Sequence, residues 1–325
     1  MLPVITWNDM ARLMATDKQY NSLADPEFKK TWLEFLLATV VIKRTLGEDW
    51  WQAASAEVAS LSKGSRRETP MIHPLSPFLK AVTSKKVEGE LAGQVINLAI
   101  DLLTLIDLPE ANQSLEAKVP ELRSKTPQSF FEAWFEIRMA STCIKKGMRA
   151  RLLPPSPKQK RPDIEVFAPD GRVFVECKVR ARLSTEERAS PVVYRKKMKV
   201  RLSGVKDLIL KASDQLRDLG SPTLVAVNVD LPKTRDGDFE LKELRSTMEE
   251  TEIRRPHVNG ILLVADRVST NPATEVIQWG QDLHLQMNMV NPERPNPSEF
   301  FRILLNPAIT TRPPTLMLTK YAMTH

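Results

Sequence analysis

Two carboxylates and an ammonium group fall on one short apolar ribbon of this sequence. They are Asp163, Glu176 and Lys178, within residues 161–180, RPDIEVFAPDGRVFVECKVR. Val, Ile and Phe alternate with polar residues on both sides of Ala168-Pro169-Asp170-Gly171, the pattern of two strands joined by a tight turn. Strand side chains alternate between faces, so Asp163 shares a face with Glu165, and Glu176 with Lys178. A turn symmetric about Pro169-Asp170 sets residue 163 opposite 176; one symmetric about Asp170-Gly171 sets it opposite 178. Either register gathers Asp163, Glu176 and Lys178 on one face and turns Ile164, Val166, Val175, Cys177 and Val179 into a core. Only a loop with an odd number of residues would break the arrangement. Charges on such a ribbon are costly unless compensated. A divalent cation held by hard carboxylate oxygens is the compensation that this residue set predicts, and such an ion can activate a water.

Pro162-Asp163 followed by Glu176-Cys177-Lys178 resembles the PD-(D/E)xK phosphodiesterase superfamily, the restriction-endonuclease-like nucleases. The resemblance implies an α/β fold with a restriction-endonuclease-like α-β-α core and a central mixed sheet. It also implies an Mg²⁺-dependent endonuclease that hydrolyses phosphodiester bonds of nucleic acid, DNA before RNA, with Mn²⁺ able to replace Mg²⁺. Asp163 and Glu176 would be direct ligands, Glu136 would join them directly or through water, and the backbone carbonyl of Cys177 would complete the shell. Lys178 would position and help deprotonate the attacking water, or stabilise charge developing on the phosphate.

The family carries an acid on a helix before the hairpin and a second helix after it. Pro127-Gln128-Ser129 opens a helix running to about Lys146, where Gly147 ends it. Phe131, Phe135, Met139, Cys143 and Ile144 recur there at helical spacing. Glu136 lies beside Met139, Ala140 and Cys143; Glu132, one turn earlier, is the rival, and pairing with Arg138 is the alternative role for Glu136. After the hairpin, Val205, Leu208, Ile209, Ala212, Leu216 and Leu219 form an apolar stripe over 204–219, closed by Gly220 and Pro222. Lys211 and Gln215 stand four apart on its flank. The resemblance gives Gln215 the task of orienting water or holding a phosphate. Two competing readings remain: a catalytically silent nucleic-acid-binding or assembly subunit on the same fold, and an α/β protein whose Glu-Cys-Lys is incidental. The flanking regions lack helicase or other recognisable modules, which favours restriction or anti-phage defence over repair.

The net charge of +7 is unevenly spread. Residues 145–211 hold 19 Lys and Arg against 7 Asp and Glu, a net of +12 that leaves the rest of the chain at −5. A solvated basic face and a polyanion footprint both fit such a cluster; beside a metal-binding pattern the footprint is favoured. The candidate nucleic-acid contacts are Lys158, Lys160 and Arg161 in a proline-rich loop, Arg180 and Arg182 after the second strand, and Arg195, Lys196, Lys197, Lys199 and Lys211. The segment 179–203 reads as a basic insertion ordered on binding, with Tyr194 available to stack on a base.

The 325 residues, 42% hydrophobic and 27% charged, suffice for one large domain or two smaller ones. Residues 1–122 predict a helical N-terminal all-α domain, 123–266 the nuclease core, and 267–325 a proline-rich C-terminal extension. Asp25-Pro26-Glu27 opens one helix that ends near Gly47, a second spans Glu48 to Leu61, and a third Glu90 to Leu108. Apolar strands are expected over Thr223–Val229 and Gly260–Ala265, with a surface helix over Asp238–Glu250. The start lacks a basic segment followed by an apolar one, and the longest apolar run, Trp32–Ile42, is too short for a membrane span. Two cysteines, Cys143 and Cys177, suit a reducing cytoplasm, and four scattered histidines offer no zinc-ligand spacing. A homodimer or larger assembly is compatible with all of this.

Overall fold

The computed structural model describes residues 5–61, 73–86, 89–154, 161–180, 190–229, 240, 242–249, 258–270, 277–287, 297–306 and 317–324. The chain divides into two compact units, Met1–Ser141 with Arg312–His325, and Thr142–Thr311.

The first unit is helical. Its elements are α1 (Trp7–Thr16), α2 (Lys18–Ser22), α3 (Pro26–Leu46), α4 (Glu48–Leu61), α5 (Ser76–Ser84), α6 (Gly89–Ile106), α7 (Pro109–Glu116), α8 (Val119–Leu122) and most of α9 (Pro127–Lys145). Asp25 opens α3 by accepting hydrogen bonds from Glu27 N and Phe28 N, with Pro26 at the first helical position. Gly47 ends it at a φ of +86°, and Arg123 Nε donates to the Leu46 carbonyl at 2.8 Å. A Cβ at Gly47 would lie 3.0 Å from Arg123 Nη2, so both backbone conformation and close approach select glycine there. Phe35, Leu37, Ala38 and Val41 of α3 and Leu98, Ala99, Leu102 and Leu105 of α6 are buried. Each such Leu or Val contributes about 1.5–3 kcal/mol by leaving water. The apolarity of α6 is therefore that of a core helix; among the described residues no single helix is long and apolar enough to cross a membrane.

A last helix, α13 (Met317–Thr324), belongs to this unit. Glu34, fully buried on α3, accepts from Leu318 N at 3.2 Å, Thr319 N at 3.1 Å and Thr319 Oγ1 at 2.6 Å. A carboxylate at a helix N-terminus answers donors that the helix leaves over. The expected C-terminal extension is thus divided: α13 joins the first unit, while residues 277–287 and 298–305 join the second.

The second unit carries a mixed six-stranded sheet among the described residues, in the order β1-β2-β3-β4-β5-β6. The strands are β1 (Arg149–Leu152), β2 (Ile164–Ala168), β3 (Gly171–Val179), β4 (Thr223–Asn228), β5 (Gly260–Thr270) and β6 (Ile277–Met287). β1, β2 and β3 are antiparallel neighbours, β3–β4 and β4–β5 are parallel, and β5–β6 is antiparallel. The parallel step from β3 to β4 is spanned by α10 (Pro191–Gln215). Val205, Ile209, Ala212 and Leu216 of α10, with Leu244 and Met248 of α11 (residues 242–249), join Val225, Val227, Ile261, Leu263 and Ala265 in one apolar cluster. The remaining described helix is α12 (Ser298–Leu305), whose Glu299 N donates to Asp170 Oδ2 at 2.8 Å.

α10 differs from the expected element. It begins at Pro191, not 204, so residues 191–203 are helical and not an unstructured insertion. Ser190 caps it, accepting from Val193 N at 3.4 Å, and Pro191 fills the first helical position. That start signal is present in the sequence but is overshadowed by the density of basic residues after it.

Candidate active site

The β2–β3 turn is symmetric about Pro169-Asp170, pairing Ala168 with Gly171, Val166 with Val173 and Ile164 with Val175. Gly171 adopts a φ of +128°, which favours glycine at the first residue of β3. The ladder ends at Ile164↔Val175, and Asp163, the residue before Ile164, donates its N–H to the Val175 carbonyl at 3.1 Å. The loop has two residues, so the predicted parity holds: Ile164, Val166, Val175, Cys177 and Val179 are all buried on the other face.

Glu176 and Lys178 share the remaining face of β3. Asp163 Oδ2 accepts from Cys177 N at 2.7 Å, which ties its carboxylate to the stretch of β3 between the other two. Lys178 Nζ donates to Glu176 Oε1. The Glu176 side chain is 1% exposed and that of Lys178 19% exposed, so the ammonium sits where buried acid meets solvent.

Along β3 the same face continues to Arg180. Its backbone N donates to the Asn228 carbonyl at 3.1 Å. Its guanidinium is buried, with Nη1 2.5 Å from Glu240 Oε1, and Arg201 Nε lies 3.5 Å from the same oxygen. Tyr194 OH donates to Glu240 Oε2. Arg180 is therefore corrected from a phosphate contact to a member of a buried network, and Tyr194, 1% exposed, from a base-stacking ring to a core residue. The reason is Glu240, a carboxylate sixty positions from Arg180 along the chain.

The other sequence candidates are placed as follows. Glu136 lies in the first unit, on α9, buried, with Oε2 2.6 Å from Lys118 Nζ. Arg138, its alternative partner, lies with Nε 3.6 Å from Asp101 Oδ2. Glu132 accepts from Gln128 Nε2 at 2.6 Å. Gln215 is half-buried as the last residue of α10, and Lys211 is exposed one turn earlier. Arg161, Arg195, Lys196, Lys197 and Lys199 are exposed. Lys158, Lys160 and Arg182 lie outside the described residues. Cys143 is buried and its thiol is pushed up to about 12 by burial, so it stays protonated.

Sequence reasoning passed over Glu165. It is 2% exposed on the same face as Asp163, between Arg151 and Arg172. Its acidic type at a period-two position was the available signal.

Among the described residues no group of three or more His, Cys, Asp or Glu side chains could hold a metal ion. The Asp163 carboxylate, bound to the Cys177 N–H, and the adjoining Glu176 are nevertheless donors of the type that suits a hard cation such as Mg²⁺, which is commonly held by one or two carboxylates with waters and substrate phosphates filling its other positions. Compared with family models, with curated proteins and with solved structures, the chain matches none.

Proposed function

We propose that the second unit is a metal-dependent nuclease core of the restriction-endonuclease-like kind, acting on phosphodiester bonds of nucleic acid. The observation that carries this reading is that Lys178 is bound to Glu176 and the Asp163 carboxylate to the N–H of Cys177, the residue between them. The order helix, three antiparallel strands, crossover helix and parallel fourth strand supports it.

Asp163, Glu176 and the backbone carbonyl of Cys177 would hold Mg²⁺, with Mn²⁺ as its substitute. When bound, that ion supplies Lewis-acid relief of phosphate charge and a more acidic water. The chain's own residues do the rest. The Cys177 N–H fixes the Asp163 carboxylate in orientation. Glu176, out of water, accepts from Lys178, and Lys178 presents a compact, partly exposed ammonium toward an incoming phosphate or water. Exposed Arg195, Lys196 and Lys199 on α10 and Arg161 before β2 would attract the nucleic-acid backbone.

The test is incubation of the full chain with plasmid DNA, single-stranded DNA and RNA, in Mg²⁺ or in EDTA. Cleavage that requires Mg²⁺ is the expected result. Binding without cleavage of any of the three would transfer the fold to a silent nucleic-acid-binding subunit.

A further inference from the structure

The face that carries Glu176 and Lys178 does not end there. Toward the sheet edge it displays Arg149 and Arg151 from β1, Glu165 and Phe167 from β2, and Arg172 and Phe174 from β3. The registers Arg149↔Phe167, Arg151↔Glu165, Glu165↔Phe174 and Phe167↔Arg172 make them one contiguous surface. Arg149 is exposed, the Arg151 and Arg172 side chains are 48% and 56% exposed, and the two phenylalanine rings are half-buried.

This surface is ordered in a way that free surface arginines are not. Arg151 Nε lies 2.5 Å from Glu165 Oε2 and Arg172 Nη1 3.2 Å from Oε1, so each oxygen of one buried carboxylate holds one guanidinium. The guanidinium carbons of Arg149 and Arg151 lie 5.1 and 5.9 Å from the Phe167 ring centre, and that of Arg172 lies 6.0 Å from the Phe174 centre. Arginine in this state has little rotamer freedom left to lose on binding and keeps unused donors for a phosphate. Three guanidiniums against one carboxylate leave a net charge of +2 beside two outward-facing aromatic rings.

A cationic surface interleaved with aromatic rings is complementary to a polyanion that carries its own flat rings. A duplex hides its base faces in the stack and shows only base edges in its grooves, whereas a single strand can lay bases against a sheet. Building on the nuclease reading, we infer that the outer face of β1–β3, through Arg149, Arg151, Arg172, Phe167 and Phe174, is a stacking platform for a single-stranded nucleic-acid segment leading to Asp163 and Lys178.

The test is fluorescence anisotropy with the full chain in EDTA, so that binding is read without Mg²⁺-dependent cleavage. The probes are oligothymidylate and oligouridylate of about 15 nucleotides, a duplex of equal length, and polyglutamate as competitor. Phe167→Leu and Phe174→Leu should each weaken single-strand binding roughly tenfold and leave duplex binding within about twofold. Arg149→Gln, which removes no described ion pair, should lower the log–log salt slope on single strands by about 0.7, so the proposal stays testable if a phenylalanine variant unfolds. Unchanged single-strand affinity and slope in variants that melt like the parent would overturn it. So would an equal loss on the duplex, or competition by polyglutamate as strong as by unlabelled oligonucleotide. A better response to one oligonucleotide assigns DNA or RNA to the platform. Binding is read in EDTA and the nuclease reading by Mg²⁺-dependent cleavage with the parent chain, so failure of the platform and failure of the nuclease reading are read separately.

Discussion

Two buried carboxylates on one face of neighbouring strands, Glu165 on β2 and Glu176 on β3, have been given different company. Glu165 lies between two guanidiniums, the planar, permanently charged partner that suits a fixed ion pair. Glu176 is bound by the lysine two residues along its own strand, and the Asp163 carboxylate accepts from the N–H of Cys177 between the two. A lysine is the base whose charge responds to its surroundings. A third acid, Glu240, is fully buried and is held by Arg180, Arg201 and Tyr194. Pairing with arginine builds the scaffold, and the acid–acid–lysine group is the one suited to chemistry.

That contrast can be broken by substitution, and Glu240 should give the largest change in stability. Glu240→Gln removes a fully buried carboxylate that two guanidiniums, 3% and 8% exposed, share. The expected loss is about 3–5 kcal/mol, read from denaturant unfolding. A loss below about 1 kcal/mol would show the network to be incidental.

Next comes Lys178→Ala, which should lower Mg²⁺-dependent cleavage by about 10²–10⁴-fold while the fold survives. Glu165→Gln should do the reverse. Because its arginines are half-exposed, the cost is discounted to about 1–3 kcal/mol of stability, with cleavage of duplex DNA by the folded variant unchanged. If Glu165→Gln abolished cleavage without unfolding, the division between scaffold and site would be lost. Joint neutralisation of Arg195, Lys196 and Lys197 should reduce the salt slope of duplex binding by about 0.9 for each phosphate contact removed, without affecting stability.

The smallest effect lies in the first unit. His73 Nδ1 accepts from Leu75 N at 3.0 Å, so Nε2 carries the proton donated to the Leu122 carbonyl at 3.0 Å. Burial holds its pKa below the ordinary histidine value, with the Lys125 charge adding to the shift. A depressed folded pKa means that the neutral form is favoured by folding. The stability it provides is complete above the unfolded value near 6.5 and is lost as pH falls through the folded value. Melting temperature should therefore fall on acidification below about pH 6.5, and His73→Gln should flatten that part of the profile.

Local features were legible in the sequence, and distant partners were not. Asp25-Pro26 and Gly47 bounded α3, and the period-two pattern around Pro169-Asp170 carried the hairpin register and the shared face of Glu176 and Lys178. The same reasoning missed β6 and α12, whose sequences lie among recurrent prolines. It also turned α10 into an insertion, because charge density was weighed above the Ser190-Pro191 cap. Arg180 and Tyr194 were read as nucleic-acid contacts because their acid, Glu240, lies outside any local window. α13 could not be assigned to the N-terminal unit because Glu34, which binds it, is 285 positions from Thr319.

The most direct measurement compares cleavage by the parent chain, Asp163→Asn and Lys178→Ala on plasmid DNA, single-stranded DNA and RNA in Mg²⁺. Asparagine keeps an acceptor for Cys177 N but removes the charge. The account predicts cleavage of at least one substrate by the parent, and loss of it in both variants at native melting temperature. Full cleavage by either folded variant would contradict it.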